Sequence, residues 1–436
     1  MDRVVDLISQ RDHPQRRALT EEMHLRHLPR FAAPARLLQL VTYTADSPAE
    51  SSWRHAGALL DHFGQSAPRP GKYFSARLGE LAFAWEQHSE IATCTFVLAG
   101  SFVDPFAEPL LDRLPADWLA ALPGQVLRAT QVALLPRDWP APGDAQMARW
   151  FSGDELVCCD VQGGEARLWS SFRVHDDGLG RLLLHDRGLA GDGDPSRLVQ
   201  RLQELGNYRN LALLGLPVAQ RLAPQLGALE ARLAQISRAI AAGSASDESL
   251  MGQVSQLAAE LTELTTAAGF RLSATRAYSQ IVTDRLAACG VVRIPGHNSL
   301  TEFTERRLTP AVRTCDTMRR RAEQLAEHTS WAGSLLRMRV ETALERQNAA
   351  LLASMDQRTA LQLRLQQAVE GLSVIAISYY AVGIVSYVAK PLAHWFPRLD
   401  PSLATGLAAP IVLLLTWLAM RRMHRHLEKP AREKNP

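Results

Sequence analysis

The spacing of apolar residues changes character near residue 190. Before that point, short apolar runs alternate with Gly, Pro and Asp. ARLLQLVTYTA (35–45), YFSARLGELAFAWE (73–86), SEIATCTFVLAG (89–100), VLRATQVALLP (126–136), ELVCCDVQ (155–162), ARLWSSFRVHD (166–176) and GRLLLHDRG (180–188) have the length and composition of strands. QGGEA and DDGLG read as hairpin turns, so the last three strands are expected to form an antiparallel meander. SPAESSWRHAGALLDHFG and PFAEPLLDRLPADWLAALP predict helices, the first capped by Ser47 with Pro48 at its first position. Residues 1–190 are therefore expected to form an α+β domain.

From Asp194 the period lengthens to that of helices. Asp194 and Pro195 open a helix, and Leu226, Leu229, Leu233, Ile236 and Ile240 recur at spacings of three and four. GSASDES (243–249) separates two long helices, the second running from about 249 to 289 and ending in a turn at VVRIPGHNS. A third is expected from about Thr301 to Arg364, carrying Leu325, Leu335, Leu336, Val340, Leu344, Leu351, Met355 and Leu363. A pattern this long exceeds the usual globular helix. Residues 194–367 are thus read as a stalk or bundle, its seam buried either within the chain or in a coiled coil between copies.

Residues 369–420 change the picture again, because Gly371–Ala389 is nineteen residues without a charge and Leu403–Met420 is a second apolar run. At about 1.5 Å per residue each nearly spans a hydrocarbon core of roughly 30 Å. KPLAHWFPRLDPS lies between them, with Pro391, Pro397 and Pro401 as breakers, so a two-helix transmembrane hairpin is expected. Arg358 and Arg364 precede the first span, and Arg421, Arg422, Arg425 and Lys429 follow the second. The loop has only Lys390 and Arg398, which places both termini on the cytoplasmic side of an inner membrane. The basic tail, residues 421–436, is expected to meet anionic headgroups of the lipid bilayer. Within the first span Ser373, Ala376, Tyr380, Gly383 and Tyr387 share one helical stripe, read as a packing face or, alternatively, as the lining of a hydrated pore.

Charge and cysteine content add exclusions. Lys+Arg at 48 against Asp+Glu at 45 leaves a net charge of +3, which gives no bulk argument for nucleic acid. The arginines from Arg306 to Arg321 are interleaved with Glu302, Glu305, Asp316 and Glu323, as on an ion-paired helix face. Five cysteines without a CxxC pair fit a reducing compartment and ordinary buried thiols. MDRVVDLISQRDHPQRR has no apolar segment of signal-peptide type, so the N-terminal domain is expected to stay in the cytoplasm.

GxGxxG after a strand, GxxxxGK[ST], HExxH and GxSxG are all missing, and the balance of the sequence is against an enzyme. The one candidate constellation is WEQHSE (85–90). On a strand, Glu86, His88 and Glu90 would share a face, where two carboxylates and an imidazole suit a divalent cation. Glu21, His24 and His27 recur at i, i+3 and i+6 near the start, and His24 would complete the set if the segments meet. No other cofactor is expected.

HPQRRALTEEMHLRHLP, WEQHSE, YRNLALLGLP, LSATRAYSQIV, EFTERRLTPAVRTC and QNAALLASMDQRTALQLRLQQAVEGLSVIAISYYAVG resemble, in order, a bacterial family of membrane-anchored proteins built on domain of unknown function 3422. The resemblance implies architecture rather than activity. One departure is that Glu22, His24 and Arg26 are followed by His27 and Leu28 before Pro29, where the family pattern resembles Glu-x-His-x-Arg-Pro. The layout is also similar to CorA-type divalent-cation channels, but their Gly-Met-Asn signature is replaced here by Val388, Ala389, Lys390 and Pro391. The expectation is a homo-oligomeric, membrane-anchored scaffold or sensor; the alternatives are a CorA-like channel and a membrane-tethered metal-dependent enzyme using Glu86, His88 and Glu90.

Overall fold

The computed structural model describes residues 11–16, 19–20, 27–48, 50–67, 69–153, 155–190, 193–395 and 400–427. Two compact units make up the chain, Met1–Gly333 and Ser334–Pro436.

The first unit is organised by a nine-stranded sheet. Its strands are β1 (Ala35–Tyr43), β2 (Tyr73–Leu78), β3 (Leu81–Gln87), β4 (Ile91–Ala99), β5 (Gln125–Leu135), β6 (Val157–Val161), β7 (Ala166–Ser170), β8 (Gly180–Asp186) and β9 (Val292–Arg293). They lie in the order β2-β3-β4-β1-β5-β8-β7-β6-β9, with β5 and β8 parallel and every other neighbouring pair antiparallel. The meander predicted for the last three long strands is present as β6-β7-β8. Shorter helices connect the strands: α1 (Ser51–His62), α2 (Ala116–Ala120) and α3 (Asp144–Trp150). Four long helices follow, α4 (Gly193–Leu213), α5 (Gly215–Ala242), α6 (Asp247–Ala288) and α7 (Leu300–Trp395), and then α8 (Pro401–Leu427).

β1 is buried on both faces, which is why its sequence is nearly all apolar rather than alternating. Leu37 enters the core shared with α4, α6 and the start of α7, through Leu198, Leu205, Val282 and Leu308. Leu38 and Leu40 enter the opposite core, built with Leu59, Leu60, Phe96 and Trp118. Sheet and long helices thus share one core, and the first unit extends past the change of period at residue 190 as far as Gly333.

Several local expectations are corrected. YFSARLGELAFAWE is a hairpin, turned at Gly79 in left-handed conformation, rather than one strand. α1 begins at Ser51 with Glu50 at its N-cap; Ser47 instead closes a turn onto Thr44. VVRIPGHNS supplies β9, which covers the edge of β6. The third long helix does not end near Arg364 but runs on past Pro391, one of the breakers expected from the sequence, to Trp395.

α5 and α6 form a hairpin whose loop centres on Gly243 in left-handed conformation and on Ser246, which caps α6 by accepting from Ser249. α7 packs on that hairpin. A Cβ on Gly215 would lie 3.2 Å from Cys315 Sγ and 2.1 Å from Thr275 Oγ1, one on Gly333 would lie 3.5 Å from Val254, and Arg321 forms an ion pair with Glu230 at 2.7 Å. The buried face of α7 reads Leu308, Ala311, Cys315, Met318, Ala322, Leu325, Thr329 and Leu336.

The second unit contains residues 334–395 of α7, together with α8. Both α7 and α8 are long and apolar enough to cross a membrane. On α7 the succession of threes and fours continues through Leu344, Leu351, Met355, Leu365 and Val369, and all five are exposed. The seam expected from the sequence is therefore buried in one part of the helix and uncovered in the other.

Candidate functional site

Gln200, Gln203, Glu204 and Asn207 recur on α4 at i, i+3, i+4 and i+7, the spacing that ordinarily buries an apolar stripe. They face a polar region of the sheet. Glu86 lies opposite Thr93, Gln39 opposite Thr95, and Arg128 opposite Val41, next to Gln39 along β1. Between helix and sheet is a cavity of about 30 Å³, lined by the four α4 residues, by Gln39, Glu86, Thr93 and Thr95 of the sheet, and by His27, Tyr73 and His88, with Arg128 outside the lining and bonded to three of its amides. That volume admits a water molecule or a comparably small ligand.

Arg128 sets the polarity of one wall. Its Nη1 donates to Gln39 Oε1 at 3.1 Å, to Asn207 Oδ1 at 3.0 Å and to Gln203 Oε1. Burial, and then the neighbouring charge of Arg209, pulls Arg128 down to about 9, which still leaves it a cation at neutral pH. Because three amide oxygens turn toward that cation, their amino groups point away. Gln39 Nε2 donates to Thr95 Oγ1 at 3.1 Å. Gln203 is 1% exposed, and its Nε2 has no partner among the described residues. A buried donor without an acceptor is costly, so this wall is complementary to an acceptor oxygen and unfavourable to a metal cation.

On the other wall His88 Nε2 lies 3.5 Å from Glu86 Oε2, and the His88 ring meets Tyr208 edge-on at 6.2 Å. Tyr73 pairs with Glu86 in the ladder and its hydroxyl donates to the carbonyl of His27, the residue at which the N-terminal motif departs from the family pattern. Burial raises the Tyr73 phenol above its ordinary value. Glu204 lines the same cavity but is already engaged, 2.7 Å from Arg285 and accepting from Gln200 at 2.9 Å.

The structure brings Glu86 and His88 together and sends Glu90 elsewhere. β3 ends at Gln87, and His88 N donates to Ile91 O at 2.8 Å, so residues 88–90 turn instead of continuing the strand. The period-two argument that put all three on one face therefore fails at the turn. Glu90, 3% exposed, accepts from Tyr278 at 2.8 Å and pairs with Arg271, which also donates to the Tyr43 hydroxyl at 2.8 Å. Burial first, then the hydrogen bond to Glu90, pushes Tyr278 up to about 12 despite an opposing contact with Ser89. This network ties the β3–β4 turn to α6. His24 lies outside the described residues. Among the described residues no group of three or more His, Cys, Asp and Glu is placed to hold a metal ion. All five cysteines are buried free thiols, with Cys94 pushed up to about 12 and Cys158, Cys159 and Cys289 to about 11 by burial.

Gln39, Arg128, Gln203 and Asn207 were not picked out from the sequence. Their signal is present all the same: a glutamine inside LLQLV, an arginine inside VLRAT, and a polar stripe with core spacing on α4.

In the second unit, the stripe Ser373, Ala376, Tyr380, Gly383 and Tyr387 lies on one side of α7, with Tyr380 72% and Tyr387 79% exposed. The covered side of the same segment centres on Ser378, 3% exposed, flanked by the partly covered Val374, Ala381, Val382 and Val385. At 100° per residue these two faces are nearly opposite.

The model of one protein family, described as protein of unknown function (DUF3422), matches residues 11–427. No curated protein matches the chain, and no solved structure does.

Proposed function

The chain belongs to the DUF3422 family, and from that membership and the two units described above we propose that it is a membrane-anchored, homo-oligomeric sensor or scaffold. Its mixed sheet-and-helix unit would stand on the cytoplasmic side of an inner membrane. α7 and α8 would cross the bilayer as a hairpin.

The observation that carries this reading is the outward apolar surface of the second unit. Leu372, Ile375 and Ile384 on α7 and Leu407, Ile411 and Leu414 on α8 are all more than half exposed. Apolar patches of this extent need lipid or a protein partner. Orientation rests on the arginines that flank the spans, and oligomerisation on the uncovered seam of α7 from Leu344 to Tyr387. A sensing role rests on the cavity between α4 and the sheet, whose unpartnered Gln203 donor calls for a small acceptor ligand.

Alkaline extraction of membranes from an expressing cell tests the anchor. The full chain should stay with the membrane and a chain ending at residue 333 should not; release of the full chain by carbonate would refute the anchor.

A second reading is favoured by one observation, that the hydroxyl-bearing stripe of the first span lies away from the covered face and is free to line a shared pore. Lys390 at the end of that span opposes a cation pore. Ion flux into proteoliposomes that is abolished by Gly383→Leu would favour the channel over the scaffold; absent flux would exclude the channel.

A further inference from the structure

Every residue of α7 from 341 to 369 is exposed, a stretch of about 40 Å at 1.5 Å per residue. α8, described as far as Leu427, leaves it bare. Within and just beyond this stretch leucine recurs at every seventh position, as Leu344, Leu351, Leu365 and Leu372, with Arg358 in the one remaining place. Four residues after each of the first four positions stand Asn348, Met355, Gln362 and Val369. The apolar members of both rows are more than half exposed, and Leu352 and Leu361, also exposed, flank them on either side. A strict alternation of fours and threes has a period of about 3.5 residues, which keeps one seam in place only when the helix supercoils around another.

The seam itself says what covers it. Lipid is excluded, because Arg346, Asp356, Arg358 and Arg364 on the same stretch would have to enter hydrocarbon. A second copy of the chain fits the polar positions. The amide of Asn348 or of Gln362 carries both a donor and an acceptor and can pair with its own twin, whereas an apolar partner would leave it buried and unmatched. Leucine in one row with a polar amide in the other is the pattern of two strands, and the amide fixes their register. A slip of one heptad would set Asn348 against Met355 and Gln362 against Val369. Copies anchored in one membrane enter it in the same direction, so their helices run side by side from the same height.

We propose that residues 344–372 of α7 form a parallel, in-register, two-stranded coiled coil between two copies of the chain. This rests on the membrane-anchored oligomer proposed above and specifies its partner, number and geometry. Arg358 gives the coil one weak layer. Two guanidinium groups meet where the leucine row is interrupted, one turn from the Gln362 amides that can accept from them, so the pair is held below the stability that an unbroken row would give.

The test uses the full chain in detergent. Light scattering should give the mass of two copies, and Arg358→Leu should tighten their association about tenfold or more, since it removes a like-charge pair from a desolvated layer. Asn348→Cys and Val369→Cys, made separately, should each give a disulfide-linked dimer under mild oxidation, and Ala360→Cys on the outward side of the coil should not. A mass of one copy, or of three or more, would overturn the proposal, as would an association unchanged by Arg358→Leu. A two-copy particle in which positions 348 and 369 do not both link, or link no better than 360, would overturn the coil and leave the anchored oligomer standing. Release of the full chain from membranes by carbonate would overturn both.

Discussion

Arg128 shows how one half-buried charge can organise a site that contains no motif. Its guanidinium collects three amide oxygens, and the amino groups left over define what the cavity can accept. Gly206→Ala places a methyl group within 3 Å of that guanidinium and should destabilise the protein by about 1–3 kcal/mol, read from the midpoint and slope of denaturant unfolding. Glu90 is the second decisive residue. Its carboxylate is 4% exposed and its partner Arg271 is 12% exposed, so Glu90→Gln leaves a buried cation without its counter-charge and should cost about 3 kcal/mol in the same measurement. Unchanged stability would mean that the network adds nothing. Glu86, Glu90 and His88 were legible as a polar cluster, but not as two separate sites, because the turn at 88–90 depends on the register between β3 and β4. Arg128 was hidden for a different reason: an arginine in a strand reads as exposed until the helix that covers it is known.

At the scale of elements, strand identities follow closely from local composition, and the β6–β7–β8 meander from its turns. The two-residue β9 escaped because it has no apolar pattern of its own and exists only through pairing with β6. That neighbourhood carries a pH-dependent contact. Asp160 and Arg167 face each other in the β6–β7 ladder, at 2.7 Å, and Arg187 approaches the same carboxylate at 3.3 Å. The hydrogen bond from Arg167, against an opposing effect of burial, holds Asp160 below its ordinary value. A carboxyl depressed in the folded state stabilises above its unfolded value of about 4, and loses that contribution as pH falls through its folded value. Asp160→Asn should therefore lower stability at neutral pH and narrow the gap to the unmodified protein as the solution is acidified; a gap independent of pH would contradict the assignment. α7 is the other element whose sequence carried more than its length. Its three-and-four succession is buried from Leu308 to Thr329, where the α5–α6 hairpin supplies a partner, and exposed from Leu344 to Val369. Leu344→Asp combined with Leu351→Asp should leave the first unit folded and reduce the mass of the detergent-solubilised particle, whereas an unchanged mass would locate any assembly elsewhere.

For the molecule as a whole, the division that matters falls at Gly333 rather than at residue 190. The change of hydrophobic period marked where strands give way to helices. It could not show that α4 and α6 complete the core of the sheet, since periodicity reports which face of a helix is buried and not what buries it. The same gap separates the predicted stripe of the first span from its role. Ser373, Ala376, Tyr380, Gly383 and Tyr387 do share a face, and that face lies opposite the covered side around Ser378; in the proposed membrane-anchored oligomer it would meet another copy. Cysteine cross-linking tests this assembly in place. The native thiols are buried and raised by burial, so they should contribute little background. In carbonate-washed membranes, Ala376→Cys should give a disulfide-linked dimer under mild oxidation, and Val382→Cys on the covered side should not. Monomer at both positions, or equal dimer at both, would contradict the membrane-anchored oligomer built on this face of α7.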